Sequence, residues 1–381
     1  IVEMGKGAGT NGGTVIAQGT VDEIAQNKES VIAPYLSQES KLPAELPKNE
    51  LFSMGNIHLS TDAIHTVHPL EVEIPKGRLT VVTGVSGSGK TTLVLESLIP
   101  ALEANAMGKK LPQHIKSVEA EGIRQVKLID ATPIGINVRS TVATYASIHD
   151  ELRKIYAQTP DAKQCGYKAG DFSYNTGDLR CPTCDGTGQI SLDVQFLPDV
   201  DIVCPDCKGS RYKREAYKVL RIAKNGEKYS LPQLMSMSID QVIEVTTDLK
   251  LVNQKLQVLQ QLGLGYLSLG EDTPGLSGGE AQRLKLASEM GKGQSDTVFV
   301  FDEPTIGLHP QDVRVLLGVF QSLLSLGATV IVIEHDLDVI RNAHYIIDMG
   351  PGGGAAGGRI VAQGTPQTVK NNANSITGKY L

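Results

Sequence analysis

Short apolar runs punctuate this chain, and each one ends where polar chemistry begins. Leu79 to Thr83, Val298 to Phe301 and Ala328 to Ile333 are built almost without interruption from Val, Ile, Leu, Phe, Ala and Thr. Runs of this length and composition predict buried strands. The first passes through a Gly-rich loop into an amphipathic segment, and one further helix separates the second from the third. Leu251, Val252, Leu256, Leu259 and Leu262 recur instead at helical spacing, which predicts a helix packed on a core. The pattern reads as an α/β protein with a mixed sheet, its core carried by residues 51–150 and 271–381 and split between 151 and 270 by an insertion.

At 381 residues, with 40% hydrophobic and 20% charged, the composition is ordinary for a globular chain and the length allows a large core or two. No stretch of eighteen apolar residues occurs and no charged-then-apolar leader opens the sequence, so a cytoplasmic protein without a membrane span is expected. The net charge of −6 argues against a general nucleic-acid coat, so any such contact has to come from a local basic patch.

Residues 1–36 align without a gap on residues 346–381. The two stretches share M-G-x-G-x-G-x-x-G-G and A-Q-G-T at an offset of 345. The chain therefore reads as the tail of one module plus a linker (1–50, with Ser37 to Asn49 rich in Pro, Ser and Lys) and then a whole second module. The absence of an opening Met adds the expectation that this is the C-terminal part of a longer tandem protein.

Gly84-Val85-Ser86-Gly87-Ser88-Gly89-Lys90-Thr91 follows the first strand and fits G-x-x-x-x-G-K-[ST] in its strand–loop–helix setting. Glycines let successive backbone N–H groups curl around phosphate oxygens, and the helix N-terminus adds its dipole. Gly84, Ser86, Gly87, Ser88, Gly89, Lys90, Thr91 and Thr92 are the candidate ATP-binding residues, with Lys90 on the β- and γ-phosphates and Thr91 on Mg²⁺. The second run delivers Asp302, a Mg²⁺ ligand candidate, and Glu303, a general base for the attacking water. The third ends in Glu334-His335-Asp336, where His335 can reach a γ-phosphate. Lys90, Glu303 and His335 form the candidate catalytic set. Within Leu276 to Met290, the stretch Ser277, Gly278, Gly279 and Glu280 opens a helix and offers a second phosphate cradle.

Four of the five cysteines make two C-x2-C pairs nineteen residues apart: Cys181, Cys184, Cys204 and Cys207. In a reducing compartment this spacing favours a tetrahedral Cys₄ Zn²⁺ site over disulfides, and four thiolates leave no open position, so the zinc is structural. Cys165 is left over and is expected to be inert. Lys208, Arg211, Lys213, Arg214, Lys218, Arg221 and Lys224 follow with few acids among them and with Tyr212 and Tyr217 interleaved, a plausible phosphate-backbone patch.

The stretch LSGGEAQRLKLASEM resembles the signature motif of the ABC ATPase superfamily. Together with FDEPTIGLH, IEHDLDVI and DMGPGGGAAGGRIVAQGT, it makes residues 51–381 similar to the UvrA family, the damage-sensing subunit of bacterial excision repair. The resemblance implies a P-loop NTPase of ABC type with an inserted helical signature domain, in which Ser277 to Glu280 complete the nucleotide site of an opposing module. FSYNTGDLRCPTCDGTG, FLPDV and CKGSRYKREAYKV look like the zinc module of that family's second signature domain. The implied partners are DNA, through Lys208, Arg211, Lys213 and Arg214; a second copy or a first ABC module; and an excision-repair helicase-like subunit. Where the family carries Gln in D-Q-S-P-I-G-R-T-P-R-S, this chain has Ala131 in the stretch Asp130 to Ser140, and a methyl group neither coordinates nor orients. That departure implies a UvrA-like paralogue, of the kind linked to tolerance of DNA-binding drugs, as an alternative. A transporter's energy-coupling ATPase is a further alternative, against which the zinc insertion and tandem modules speak. No aromatic residue before the P-loop stands out as an adenine stacker.

Overall fold

The computed structural model describes residues 1–5, 13–30, 32–33, 48–132, 134, 137, 139–192, 200–290, 294–308 and 310–381. The expected linker therefore lies almost wholly outside the described residues, as does most of FLPDV. The chain divides into two compact units, one of residues 1–4, 14–131 and 289–381, the other of residues 5–13 and 132–288. The insertion is thus wider than the expected 151–270, and most of the helix opened by Ser277 groups with it.

In the first unit, β1 (Val2–Gly5) pairs with β2 (Thr14–Gln18). Then come β3 (Asn56–Thr61), β4 (Leu70–Pro75), β5 (Leu79–Gly84), β6 (Ile115–Glu119) and β7 (Gln125–Ile129). β3 is the centre of a three-stranded antiparallel sheet, β4-β3-β6. In the second unit, β8 (Gln189–Leu192) and β9 (Val200–Val203) form a hairpin, as do β10 (Leu220–Ile222) and β11 (Lys228–Ser230). Back in the first unit, β12 (Thr297–Asp302), β13 (Thr329–Ile333), β14 (Tyr345–Gly350) and β15 (Arg359–Gly364) complete a six-stranded sheet in the order β15-β14-β5-β13-β12-β7. All its pairs are parallel except β14–β15, so it is the expected mixed sheet. Its central strands are buried along their length save for Asp302 at the end of β12, which is why they read as unbroken apolar runs. One face packs on the helix formed by Thr92–Leu98 and Ile99–Ala106 and on the three-stranded sheet, through Val82, Val300, Ile331, Leu98, Leu102 and Leu59. Phe301, on the other face, meets Phe320 of the helix Pro310–Ser325 edge-on, with ring centroids 4.9 Å apart.

The register sets Ile333 beside both Val82 and Asp302, so the carboxyl ends of β5, β12 and β13 open at one edge. In open parallel sheets that edge is where ligands sit.

The sequence repeat is also a structural repeat. Each copy has two paired strands and a short helix capped by Thr20 or Thr365, with residues 6–12 of the first copy outside the described residues. A buried Ser then returns to an acid on the first strand. Ser30 Oγ donates to Glu3 Oε2 at 2.6 Å, and Ser375 Oγ donates to Asp348 Oδ2 at 2.5 Å. Each Ser also accepts a backbone N–H three residues on, from Ala33 or Gly378. Glu3 and Asp348 differ in length, so their shared role is invisible to an identity match.

The inserted unit is mainly helical, with His149–Tyr156, Pro160–Cys165, Leu231–Ser236, Ile239–Val245 and Lys250–Gln261 beside the two hairpins in its element order. On Lys250–Gln261 the helical spacing holds with one correction. Val252, Leu256 and Leu259, and Leu262 just beyond, are buried, but Leu251 lies half exposed, one position off the apolar stripe. No helix among the described residues is long and apolar enough to cross a membrane.

Candidate nucleotide site and zinc module

The loop Gly84 to Thr91 leaves β5 and enters a helix whose first turns, Thr92–Leu98, are π-helical. Lys90 is buried, and its Nζ donates to the Gly84 and Val85 carbonyls at 3.0 and 3.1 Å. Burial pulls its ammonium below the ordinary lysine value, while the charges of Glu303, Asp348 and Asp302 oppose that pull.

Asp302 ends β12. Burial, and then the neighbouring carboxylates of Glu303, Asp130 and Glu334, hold it above the ordinary aspartate value. Such crowding of acids suits a divalent cation, whose charge relieves it. Glu303 follows with φ 45°, a left-handed conformation that costs a non-glycine residue about 1–3 kcal/mol and recurs at functional sites. It is held there by its N–H on the Ile333 carbonyl at 3.0 Å and by His335 Nε2, 2.9 Å from its Oε1. The two residues, 32 apart in the chain, thus meet across the ends of adjacent strands.

Glu334, given no role from sequence, is the keystone of this edge. It is 2% exposed. Its Oε1 accepts the Thr305 N–H at 2.8 Å; its Oε2 accepts those of His335 at 2.7 Å and Asp336 at 3.0 Å. One carboxylate therefore ties the loop after Glu303 to the loop that carries His335. The readable signal was an acid at the border of a fully buried strand, where an unpaired charge is untenable.

The Gly-rich stretch from Gly350 to Gly358 braces the phosphate loop. Gly354 N–H donates to Gly87 O at 3.0 Å and Gly358 N–H to Ser88 O at 3.1 Å. A Cβ on Gly353 would stand 2.6 Å from the Ser86 carbonyl oxygen, and one on Gly84 would stand 2.0 Å from that of Met349. Backbone meets backbone here because side chains are absent.

In the inserted unit, Ser277 caps the helix Gly278–Glu289. Its Oγ accepts the Glu280 N–H at 3.3 Å and Glu280 Oε2 accepts the Ser277 N–H at 2.7 Å, a reciprocal capping box. Ser277 and Gly278 are exposed at the helix start, Gly279 and Glu280 partly so.

Cys181, Cys184, Cys204 and Cys207 are buried with their four Sγ atoms within 4.8 Å of one another; the pairs 181–204 and 184–207 stand 3.9 and 3.6 Å apart. A tetrahedral Zn²⁺ with Zn–S of ~2.3 Å needs S···S separations of ~3.8 Å, so the cluster fits zinc. Burial pushes the Cys207 thiol up to about 12. Cys165 is exposed and free at the end of its helix. The two knuckles match at an offset of 23: Asp185 and Lys208 both hold φ 51°, each followed by a left-handed glycine.

The basic patch needs correction. Arg211 is 3% exposed, ion-paired with Asp272, and stacked 5.1 Å from the Tyr174 ring centroid, so it is an interior strut and not a surface contact. Arg221 is likewise buried against Asp248 and the Val245 carbonyl. Tyr212 is buried too, its hydroxyl donating to the Phe172 carbonyl and accepting from His149 Nε2 at 2.7 Å. Lys208, Arg214, Lys218 and Lys224 are exposed and Lys213 partly so. In the stretch Asp130 to Ser140, residues 133, 135, 136 and 138 lie outside the described residues; Arg139 pairs with Asp185 at 2.8 Å.

A phosphate loop on β5, acids at the end of β12 and a His after β13 define a P-loop nucleotide-binding module of the ABC ATPase type. No protein-family model matches the chain. It is nonetheless a UvrA homologue. It is 43% identical over 385 residues to UvrABC system protein A of Aquifex aeolicus and 41% identical over 385 residues to that of Thermus thermophilus, in each case along 100% of this chain. Those alignments take in 41% and 40% of the relatives, so the chain spans about two fifths of their length. Among solved structures, UvrA2 from Deinococcus radiodurans matches with a TM-score of 0.89 and 38% identity, over 100% of this chain and 45% of that one.

Proposed function

We propose that the chain supplies an ATP-hydrolysing, DNA-contacting portion of a UvrA-type sensor of damaged DNA in nucleotide excision repair, working in the cytoplasm. The observation that carries the ATPase reading is the Glu303–His335 contact at the sheet edge that also bears the Lys90 loop. ATP phosphates lie on the amides of Gly84 to Thr92. Lys90 leaves the Gly84 and Val85 carbonyls to meet the β- and γ-phosphates. Thr91 and Asp302 hold Mg²⁺, which neutralises phosphate charge when bound. Glu303 accepts the proton of the attacking water, and His335 fixes Glu303 and reaches toward the γ-phosphate.

Ser277 to Glu280 sit on the other unit, and they serve a partner's phosphate: that of a second copy or of another ABC module. The four cysteines hold Zn²⁺ as a structural brace. DNA contacts fall to Lys208, Lys213 and Arg214, and an excision-repair helicase-like subunit is the expected protein partner. A second reading, a paralogue acting on drug-bound DNA, is favoured by Ala131 alone.

The test is ATP binding and turnover over a wide dilution series. Glu303→Gln should keep ATP affinity and lose about 10²–10⁴-fold in turnover, Lys90→Ala should lose affinity, and Ser277→Arg should remove activity that depends on protein concentration. Parent-rate hydrolysis by Glu303→Gln would remove the base, and activity blind to dilution and to Ser277 would remove the composite site.

A further inference from the structure

Beside the second zinc knuckle a cavity of about 530 Å³ opens in the inserted unit. Its walls are the loop from Asp206 to Tyr212, the short 3₁₀ helix Arg214–Lys218, the helix Leu231–Ser236 and the turn at Ser268 to Gly270. Sites for small organic ligands have volumes of roughly 300–1,000 Å³.

The lining separates by chemistry. Pro232, Met235 and Tyr212 are buried and form an apolar floor, whereas Lys208, Arg214 and Tyr217 stand exposed at the rim. Lys208 and Arg214 have no acidic partner among the described residues; Arg211, behind them, is already neutralised by Asp272. Asp206, the acid in the lining, accepts a hydrogen bond from Thr183. The rim is therefore net cationic in a chain of net charge −6. Lys208 also holds φ 51°, an unfavourable conformation for a side-chain-bearing residue. Its knuckle counterpart Asp185 shares that φ but is engaged by Arg139 and Arg180.

An apolar floor, an aromatic ring at the mouth and two uncommitted cations complement a heterocycle that carries phosphate. We propose that this cavity receives one unstacked nucleotide of a DNA strand, with the base against Tyr217 and Met235 and the flanking phosphates on Lys208 and Arg214. An acidic peptide would answer the cations but leave the floor unmatched. The inference rests on the DNA-contact reading and adds a preference for unpaired bases. Stacking supplies that preference independently of sequence, and the cations supply salt dependence.

The chain contains no Trp, so this 381-residue chain carrying Tyr217→Trp has one such fluorophore, at the mouth of the cavity. It is titrated with labelled oligothymidylate, with an abasic oligonucleotide of equal length and with polyglutamate, and binding is followed separately by label anisotropy. Both oligonucleotides should bind with affinities that fall as salt rises, but only the thymidylate should quench the emission. Tyr217→Ala should weaken thymidylate binding about five- to a hundredfold and leave abasic binding unchanged. Equal quenching by the abasic strand, quenching by polyglutamate, or thymidylate affinity indifferent to Tyr217→Ala would overturn the pocket and leave the DNA contact standing. Failure of both oligonucleotides to bind at low salt would overturn both.

Discussion

The nucleotide-binding unit and the inserted unit fill their interiors with different materials. In the first, Val81, Phe299, Phe301, Ile331 and Val332 stack as an apolar sheet, and charged chemistry gathers at the strand ends apart from Glu3 and Asp348, each paired with a buried serine. In the second, the deepest groups include Tyr156, Tyr174, Tyr212, His149, Arg211 and four cysteines, and each polar atom needs a partner. Dispersion and hydrophobic burial spread over many contacts, so an apolar interior fails gradually. A polar network fails steeply once one member is lost, because the orphaned partner keeps its desolvation cost. The nucleotide unit should therefore lose function site by site, and the inserted unit should lose structure as a whole.

The largest expected effect is on the zinc brace. Structural zinc binding is folding free energy, worth on the order of 10 kcal/mol in small modules. Chelation, or Cys204→Ser, should abolish amide-exchange protection across 139–288 while the strands at 79–84 and 329–333 stay protected. Uniform loss in both units, or in neither, would break the comparison.

Next comes acid. Burial, and then the charge of Arg153, depress His149 to about 3 from 6.5. The unfolded state therefore binds the extra proton between those values, so stability is fully present above about pH 6.5 and is lost as pH falls toward 3. The loss is at most about 4–5 kcal/mol. Unfolding of the inserted unit should steepen over that window, and His149→Gln should flatten the pH dependence while lowering stability at neutral pH. An unchanged slope would remove His149 from the network.

The smallest effect belongs to the nucleotide unit. Glu334→Ala leaves the Thr305, His335 and Asp336 amides without their acceptor, a cost of about 1–3 kcal/mol. It should reduce kcat roughly tenfold or more, with KM for ATP near the parent value, because the loops carrying Glu303 and His335 lose their tie and the phosphate loop does not. A rise in KM alone would assign Glu334 to binding instead.

What could be read from the sequence follows the range of the forces involved. The phosphate loop, the strand ends and the cysteine spacing are set within a few residues, and their text is sufficient. Arg211 reads as a surface cation because its partner Asp272 lies 61 residues away and the text gives a charge without its counterion. Glu334 was legible as an acid but not as a tie between loops, since the donor that makes it one, the Thr305 N–H, lies 29 residues away on a neighbouring strand's loop. The inserted unit's limits were misplaced because helices such as Val142–Tyr145 carry no strong period of their own and take their place from tertiary packing.

The duplicated segment has a consequence for the chain's behaviour in concentrated solution. β14 is bonded on both sides, by β15 and β5, whereas its counterpart β1 is bonded only by β2 among the described residues. Ile347 and Met349 are buried, yet Val2 and Met4, at the equivalent positions, are 63% and 58% exposed. Among the described residues the first copy therefore presents an unpaired strand edge with an apolar face, the kind of edge on which another extended segment can add as a strand. In this 381-residue chain such an edge would favour self-association at high concentration, and Val2→Lys would oppose it by placing a charge there.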